Sequence, residues 1–297
     1  MDKIQRSINL IQKAEKLALS YQKYGFHLAF SGGKDSQVIY ELAKMAGVHF
    51  KAVMNITTLD PPELMSFIRK QYPDIEFTRP PINFYKLLIK KRLLPTRIVR
   101  YCCQYLKESS GIGAVVITGI RKAESSRRSK RNEMEVSNYK YSNTLDQFNM
   151  DFESKAICIK GKDKIILNPI IHWSDRDVWQ FIKSKNIPYC KLYDEGYKRI
   201  GCILCPMASE KTKVLDMQRY PKVCQKIKQS IGEILKSEAP NYWGALDHNI
   251  DDIFEWWITG VSMDIYKKNK ANDPLFYEKY RNKQYAQLHN AQPRLNF

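Results

Sequence analysis

The sequence predicts an α/β protein, a parallel sheet layered with helices, followed by a C-terminal region that is helical throughout. Three observations predict it. Short apolar runs, some rich in β-branched residues, alternate with helical segments over the first two thirds of the chain. One run closes in a tight glycine loop that leads directly into a helical pattern, as a parallel crossover requires. Beyond about Lys211 the strand signals stop, and helical stretches carry Trp243, Phe254, Trp256, Trp257, Tyr266, Tyr277 and Tyr280 among lysines and arginines.

The elements follow in order. Met1 to Lys23 scatters Lys3, Arg6, Lys13 and Lys16 among Ile4, Ile8, Ile11 and Leu17, which reads as an amphipathic helix rather than a signal peptide. His27 to Phe30 is a short strand, Ser31-Gly32-Gly33-Lys34-Asp35-Ser36 a tight loop, and Val38 to Ala46 a helix. Phe50 to Asn55 is the second strand, and Pro61-Pro62 suits the first turn of a helix through Phe67 and Ile68. Ile75 to Thr78 is a weaker third strand. Ala114 to Thr118, ending at Gly119, reads as a strand buried on both faces. Ile165 to Leu167 is another, and Ser174 with Asp177 forms a capping box before Val178, Phe181 and Ile182. Asn186 and Pro188 end that helix. Three regions result: a helix over 1–24, an α/β domain over 25–210, and a basic, aromatic-rich helical region over 211–297.

Composition excludes several classes. With 43% hydrophobic and 27% charged residues, 13 glycines and 13 prolines, the chain is neither collagen-like nor disordered. No apolar run reaches the length of a membrane span, so no membrane partner is expected, and the expected location is cytoplasmic. Seven cysteines, an odd number, with two close pairs, argue for metal, cluster or thiol chemistry in a reducing compartment. Lys+Arg of 49 against Asp+Glu of 31 leaves a net charge of +18, which suggests a polyanion partner but also suits a simply lysine-rich soluble protein.

The glycine loop is the sharpest signal. Two glycines let backbone N–H groups approach an anion, and the following helix aims its positive end at the same point. The spacing is neither Walker A nor G-x-G-x-x-G. The plain alternative is a strand-to-helix turn in which Ser31 or Asp35 merely caps. SGGKDS, however, resembles the SGGxDS signature of the PP-loop (ATP pyrophosphatase) superfamily. Together with Thr57-Thr58-Leu59-Asp60-Pro61-Pro62-Glu63, Arg100-Tyr101-Cys102-Cys103, Thr118-Gly119-Ile120-Arg121 and Gly201-Cys202-Ile203-Leu204-Cys205-Pro206, it makes the chain similar to the phosphoadenosine-phosphosulfate reductase family over roughly residues 25 to 210.

The resemblance implies a Rossmann-like, adenine nucleotide alpha hydrolase-like sheet whose first loop, Ser31, Gly32, Gly33, Lys34, Asp35 and Ser36, holds the phosphates of ATP or an adenylyl sulfate. It implies nucleotide contacts from Gly119, Arg121, and Arg127 or Arg128. Lys34 and a magnesium ion would neutralise charge, with Asp35 and Asp60 as candidates near the metal. Arg121 to Arg131 is otherwise readable as a solvated loop or a nucleic-acid contact.

Cys202-x-x-Cys205 has a common metal-ligand spacing, and Cys102-Cys103, followed by Lys107, is its expected partner. Four thiolates suit an iron–sulfur cluster or a structural zinc. Neighbouring side chains diverge, which favours separated iron atoms over one tetrahedral ion. The family comparison likewise implies a 4Fe–4S cluster, with zinc as the lesser alternative and inert thiols as a third. Cys158, Cys190 and Cys224 read as core residues. His172-Trp173 and Trp256-Trp257 read as packing.

One departure matters. Family reductases attack with a cysteine in a C-terminal Glu-Cys-Gly-Leu-His motif, and here no cysteine follows Cys224. The leading expectation is therefore adenylation of an acceptor, DNA or RNA, for sulfur transfer, with a cysteine desulfurase as sulfur donor. The alternatives are a nucleotide-sulfate reductase with a displaced nucleophile and a non-enzymatic nucleotide- and cluster-binding regulator. Lys222, Lys226, Lys228, Lys267, Lys268, Lys279, Arg281 and Lys283 among the C-terminal aromatics suit a single-strand surface or, more readily, a small helical core.

Overall fold

The apolar run at Phe26–Ala29 (β1) forms the centre of a sheet with β2 (Phe50–Asn55), β3 (Glu76–Thr78), β4 (Val115–Ile117), β5 (Met134–Val136) and β6 (Ile165–Leu167). The protein is described by a computed structural model over residues 2–108, 110–136, 164–236 and 249–290. The strand order is β3-β2-β1-β4-β6-β5, parallel throughout except where β5 pairs antiparallel with β6. This is a Rossmann-like arrangement. Chain direction across the sheet reverses between β1 and β4, so the loops that leave those two strands meet at the switch point, where such sheets bind ligands.

The described chain divides into two compact units. The first comprises Met1–Asn55, Pro62–Arg79 and Glu108–Tyr193. It holds the sheet with α1 (Lys3–Tyr21), α2 (Lys34–Ala46), α3 (Pro62–Gln71), the one-turn α6 (Ser126–Ser129) and α7 (Asp175–Ser184). Helix α1 buries Ile8, Ile11, Ala14, Leu17 and Ala18, the stripe its periodicity predicts. Ser174 and Asp177 form the expected capping box of α7. Helix α2 differs from the capping alternative: its N-cap is Gly33 with no side-chain cap bond, so neither Ser31 nor Asp35 caps it.

The second unit comprises Ile56–Pro61, Pro80–Lys107 and Asp194–Phe297. Its helices are α4 (Phe84–Lys91), α5 (Tyr101–Leu106), α8 (Glu210–Arg219), α9 (Pro221–Leu235), α10 (Ile250–Thr259), α11 (Met263–Asn272) and α12 (Phe276–Asn290). Leu87, Leu88, Ile227, Ile231, Ile253, Phe254, Trp256, Trp257 and Tyr266 form its core. The aromatics face inward, with Trp257 Nε1 donating to Pro95 O at 2.6 Å, so the helical-core reading holds for them. Trp173 is buried as expected, but His172 is exposed, 3.5 Å from Glu133, and is not a packing residue. Cys190 is buried and Cys224 half-buried. Cys158, Trp243 and Pro293 to Phe297 lie outside the described residues. No helix among those described is long and apolar enough to cross a membrane.

Candidate functional site

In the first unit, the loop after β1 turns through Gly32 at φ 69°, where a Cβ would sit 2.4 Å from Ile68 Cδ1. Ser31 Oγ donates to Ser36 Oγ at 3.3 Å, and Ser36 Oγ donates to Gly33 O at 2.8 Å, so the two serines brace the loop. The loop after β4 closes on it from the neighbouring strand: a Cβ on Gly119 would lie 3.0 Å from the main chain of Asp35. The loops of Gly32 and Gly119 thus converge on the first turn of α2, the positive end of its dipole. The Lys34 N–H donates to the Tyr193 hydroxyl at 2.8 Å.

Lys34, Asp35 and Arg121 are brought together, though not as three separate phosphate or metal contacts. Arg121 is buried, and its guanidinium donates to Asp35 at 2.7 Å, Asp175 at 3.1 Å and Trp173 O at 3.4 Å. Lys34 Nζ lies 3.2 Å from Asp175 and 3.7 Å from Asp35. Burial pushes the Asp35 carboxyl upward, and Lys34 and Arg121 oppose that shift. Arg128 pairs with Glu124, and Arg131 with Glu135, within the segment that also exposes Arg127. Much of the basic run therefore meets carboxylates of the same unit.

The second unit holds the thiols. Cys102 and Cys103 lie on α5, and Cys202 and Cys205 flank a tight turn closed by Cys205 N–H to Cys202 O at 3.2 Å. Leu204, at φ 56°, forms the bend, and its N–H donates to Asp216 at 2.8 Å. Asp216 also accepts from the Tyr197 hydroxyl at 2.9 Å. The Cys102 thiol hydrogen-bonds Cys103, and the Arg100 guanidinium lies 3.3 Å from the Cys103 sulfur; together they hold the Cys103 thiol well below its ordinary value. Cys202 donates to Thr57 at 3.4 Å and interacts with Lys107, whose ammonium is held in its charged form chiefly by that thiol. Asp60 accepts the Thr57 N–H at 2.7 Å and hydroxyl at 2.9 Å, folding its carboxylate into its own turn. Among the described residues, no three His, Cys, Asp or Glu side chains close around a point that an ion could occupy.

Comparison with known proteins decides the family. Residues 25–208 match the phosphoadenosine phosphosulfate reductase domain, which is more than half of the chain. The chain belongs to that family. Its relatives include an adenosine 5'-phosphosulfate reductase of Oceanobacillus iheyensis, 29% identical over 64% of this chain and 75% of that protein. A probable FAD synthase of Schizosaccharomyces pombe is 26% identical over 61% of this chain and 60% of that protein. An uncharacterized protein of Methanocaldococcus jannaschii is 28% identical over 76% of this chain, which spans only 54% of that relative's length.

The phosphoadenosine phosphosulfate reductase domain covers the glycine loop and both cysteine segments, and ends before α8. Three residues at these sites, Asp175, Tyr193 and Asp216, escaped the sequence reading, and Arg100 entered it only as part of a motif, with no role. Asp175 follows the capping serine directly, and Arg100 precedes the vicinal cysteines directly, so both were within reach of a local signal. Tyr193 and Asp216 reach their partners across 159 and 12 residues, and no local pattern marks them.

Proposed function

We propose that this chain is an adenine-nucleotide enzyme that activates an acceptor by adenylation and passes sulfur to it. The observation that carries this reading is the N-terminus of α2, which has a glycine cap, the loops of Gly32 and Gly119 converging on it, and its Lys34 N–H held by the neutral Tyr193 hydroxyl. A phosphate group suits that place because backbone N–H donors and the helix dipole both favour negative charge. In the reaction an acceptor oxygen attacks the α-phosphorus of ATP, the α–β phosphoanhydride bond breaks, and pyrophosphate leaves with its electron pair. A sulfur nucleophile then displaces AMP from the adenylated acceptor. The chain's part is to fix the phosphates and offset their charge through backbone N–H groups and Lys34. Asp35 is engaged by Arg121, and Asp60 by Thr57, so neither carboxylate fits a resident magnesium site.

The thiol residues fit an iron–sulfur cluster better than one zinc ion. Two cysteines from α5 and two from the Cys202–Cys205 turn supply the four thiolates that a cluster takes, and Arg100 and Lys107 offset thiolate charge. When bound, a 4Fe–4S cluster supplies a sulfur- or electron-carrying centre. The persulfide of a cysteine desulfurase is the fitting sulfur source: its terminal sulfur displaces AMP, and a second thiol then cleaves the resulting S–S bond, leaving the thiolated acceptor and a disulfide. Exposed Lys222, Lys226, Lys267, Lys268, Lys279 and Lys283 support DNA or RNA as the acceptor.

The test is AMP and pyrophosphate release from ATP, with and without DNA or RNA. Acceleration by one nucleic acid is the expected result. Unchanged AMP formation removes nucleic acid as the acceptor, and no AMP under any condition removes adenylation. The half-buried Cys103, with its lowered thiol, favours a second reading, reduction of adenylyl sulfate, as the name of the Oceanobacillus relative suggests. Sulfite release from adenylyl sulfate with a dithiol donor tests it.

A further inference from the structure

Tyr193 stands at the mouth of the nucleotide loop, and the adenylation chemistry gives it no task. Its hydroxyl accepts the Lys34 N–H at 2.8 Å, on the first residue of α2, where an anionic oxygen would be received. The ring packs among aromatic neighbours. Trp179 meets it edge-on at 5.1 Å between centroids, Tyr189 lies at 6.3 Å, and the Lys34 ammonium stands 5.8 Å from the ring centre. The turn that carries it, Lys191–Tyr193, is pinned by the fully buried Leu192 and by Tyr193 N–H to Cys190 O at 3.1 Å. Tyr193 itself remains partly exposed.

A neutral phenol oxygen is the weaker of two partners for that N–H. A phosphate oxygen makes a charge-assisted bond roughly twice as strong and also gains from the helix dipole. We propose that Tyr193 is a specificity-determining residue of the nucleotide site, whose hydroxyl occupies the position of a phosphate oxygen and is displaced by it. The proposal rests on the nucleotide reading of the loop. Weakly charged ligands do not recover the lost hydrogen bond, whereas polyphosphates do, and the returning phenol assists departure of pyrophosphate.

The experiment is calorimetric titration of the full chain with ATP and with inorganic pyrophosphate, comparing wild type with Tyr193→Phe. Phenylalanine keeps the ring against Trp179 and Lys34 and removes only the competing oxygen. The expected result is binding of both probes roughly fivefold tighter in the variant, the worth of one neutral hydrogen bond. Equal or weaker binding in the variant overturns the proposal and leaves the nucleotide reading intact. Failure of wild type to bind either probe overturns the nucleotide reading, and this proposal with it. Should Tyr193→Phe fold poorly, tryptophan emission of the wild type is the second readout. Pyrophosphate must change it, and the change must vanish in Trp179→Phe; a silent wild type overturns the proposal.

Discussion

The Nε of Arg121 donates to Asp35 at 2.7 Å, tying the loop after β4 to the first turn of α2. The guanidinium side chain is only 4% exposed, and its other donors go to Asp175 and to the Trp173 carbonyl. An arginine so placed shapes the glycine loop by holding the residue beside Lys34. Removing it leaves the largely buried Asp35 carboxylate without its guanidinium donor. Arg121→Ala should therefore lower stability by about 3 kcal/mol. Asp175, 63% exposed, contributes far less, and Asp175→Ala should cost under about 1 kcal/mol. Urea unfolding midpoints of the two variants check this, and equal losses would refute the asymmetry.

The glycines of the loops give a second prediction. Gly32 combines φ 69° with a Cβ position 2.4 Å from Ile68, so Gly32→Ala should cost about 1–3 kcal/mol and weaken ATP binding at least about tenfold. Gly47 shares the backbone strain, at φ 68°, but has nothing within 4 Å of an added Cβ. Gly47→Ala should cost about 1 kcal/mol and leave ATP affinity unchanged. Calorimetric titration of both variants separates strain from loop geometry.

Much of this fold was legible because its signals are local. The β-branched run at Val115–Ile117, the capping box at Ser174 and the apolar stripe of α1 each declare themselves within a few residues. Strand β5 did not, since Met134-Glu135-Val136 has no apolar run and forms only by pairing with β6. Helices α4 and α5 were missed for a similar reason: α5 has six residues, and its helical state depends on burial of Tyr101 and Leu106. At the site, SGGKDS marked the loop. The burial of Arg121 between Asp35 and Asp175 was invisible, because partners 86 and 54 residues away leave no trace in spacing.

His27 supplies a pH prediction. It is 5% exposed on β1, and burial first, then Lys164 and Lys51, lower its pKa to about 4, with Glu76 opposing. The unfolded chain takes up this proton below about 6.5 and the folded chain only near 4, so stability is lost as pH falls through that window. The full loss is about 3 kcal/mol. Asp216, raised to about 6 by burial, gains native protonation over much of the same fall and opposes the trend. The measurable quantity is therefore a difference: His27→Phe should lose less thermal stability than wild type between pH 7 and 4.5. Parallel curves would show that His27 does not titrate in this way.

The bend between Cys202 and Cys205 depends on a residue that carries no sulfur. Asp216 accepts from Leu204 N–H at 2.8 Å and from the Tyr197 hydroxyl at 2.9 Å, holding Leu204 at φ 56°, a conformation leucine disfavours. Asp216→Ala removes both acceptors and should cost about 2 kcal/mol. Asp216→Asn keeps one acceptor and should fall between it and wild type. If the bend presents the two thiols to a cluster, iron and sulfide of air-free wild type should approach about four each per chain. Iron should fall in the order wild type, Asp216→Asn, Asp216→Ala, while thiol labelling of Cys202 and Cys205 rises in the same order. Unchanged iron in Asp216→Ala would show that the bend keeps its shape without its anchor, and metal-free wild type would remove the cluster from the reaction.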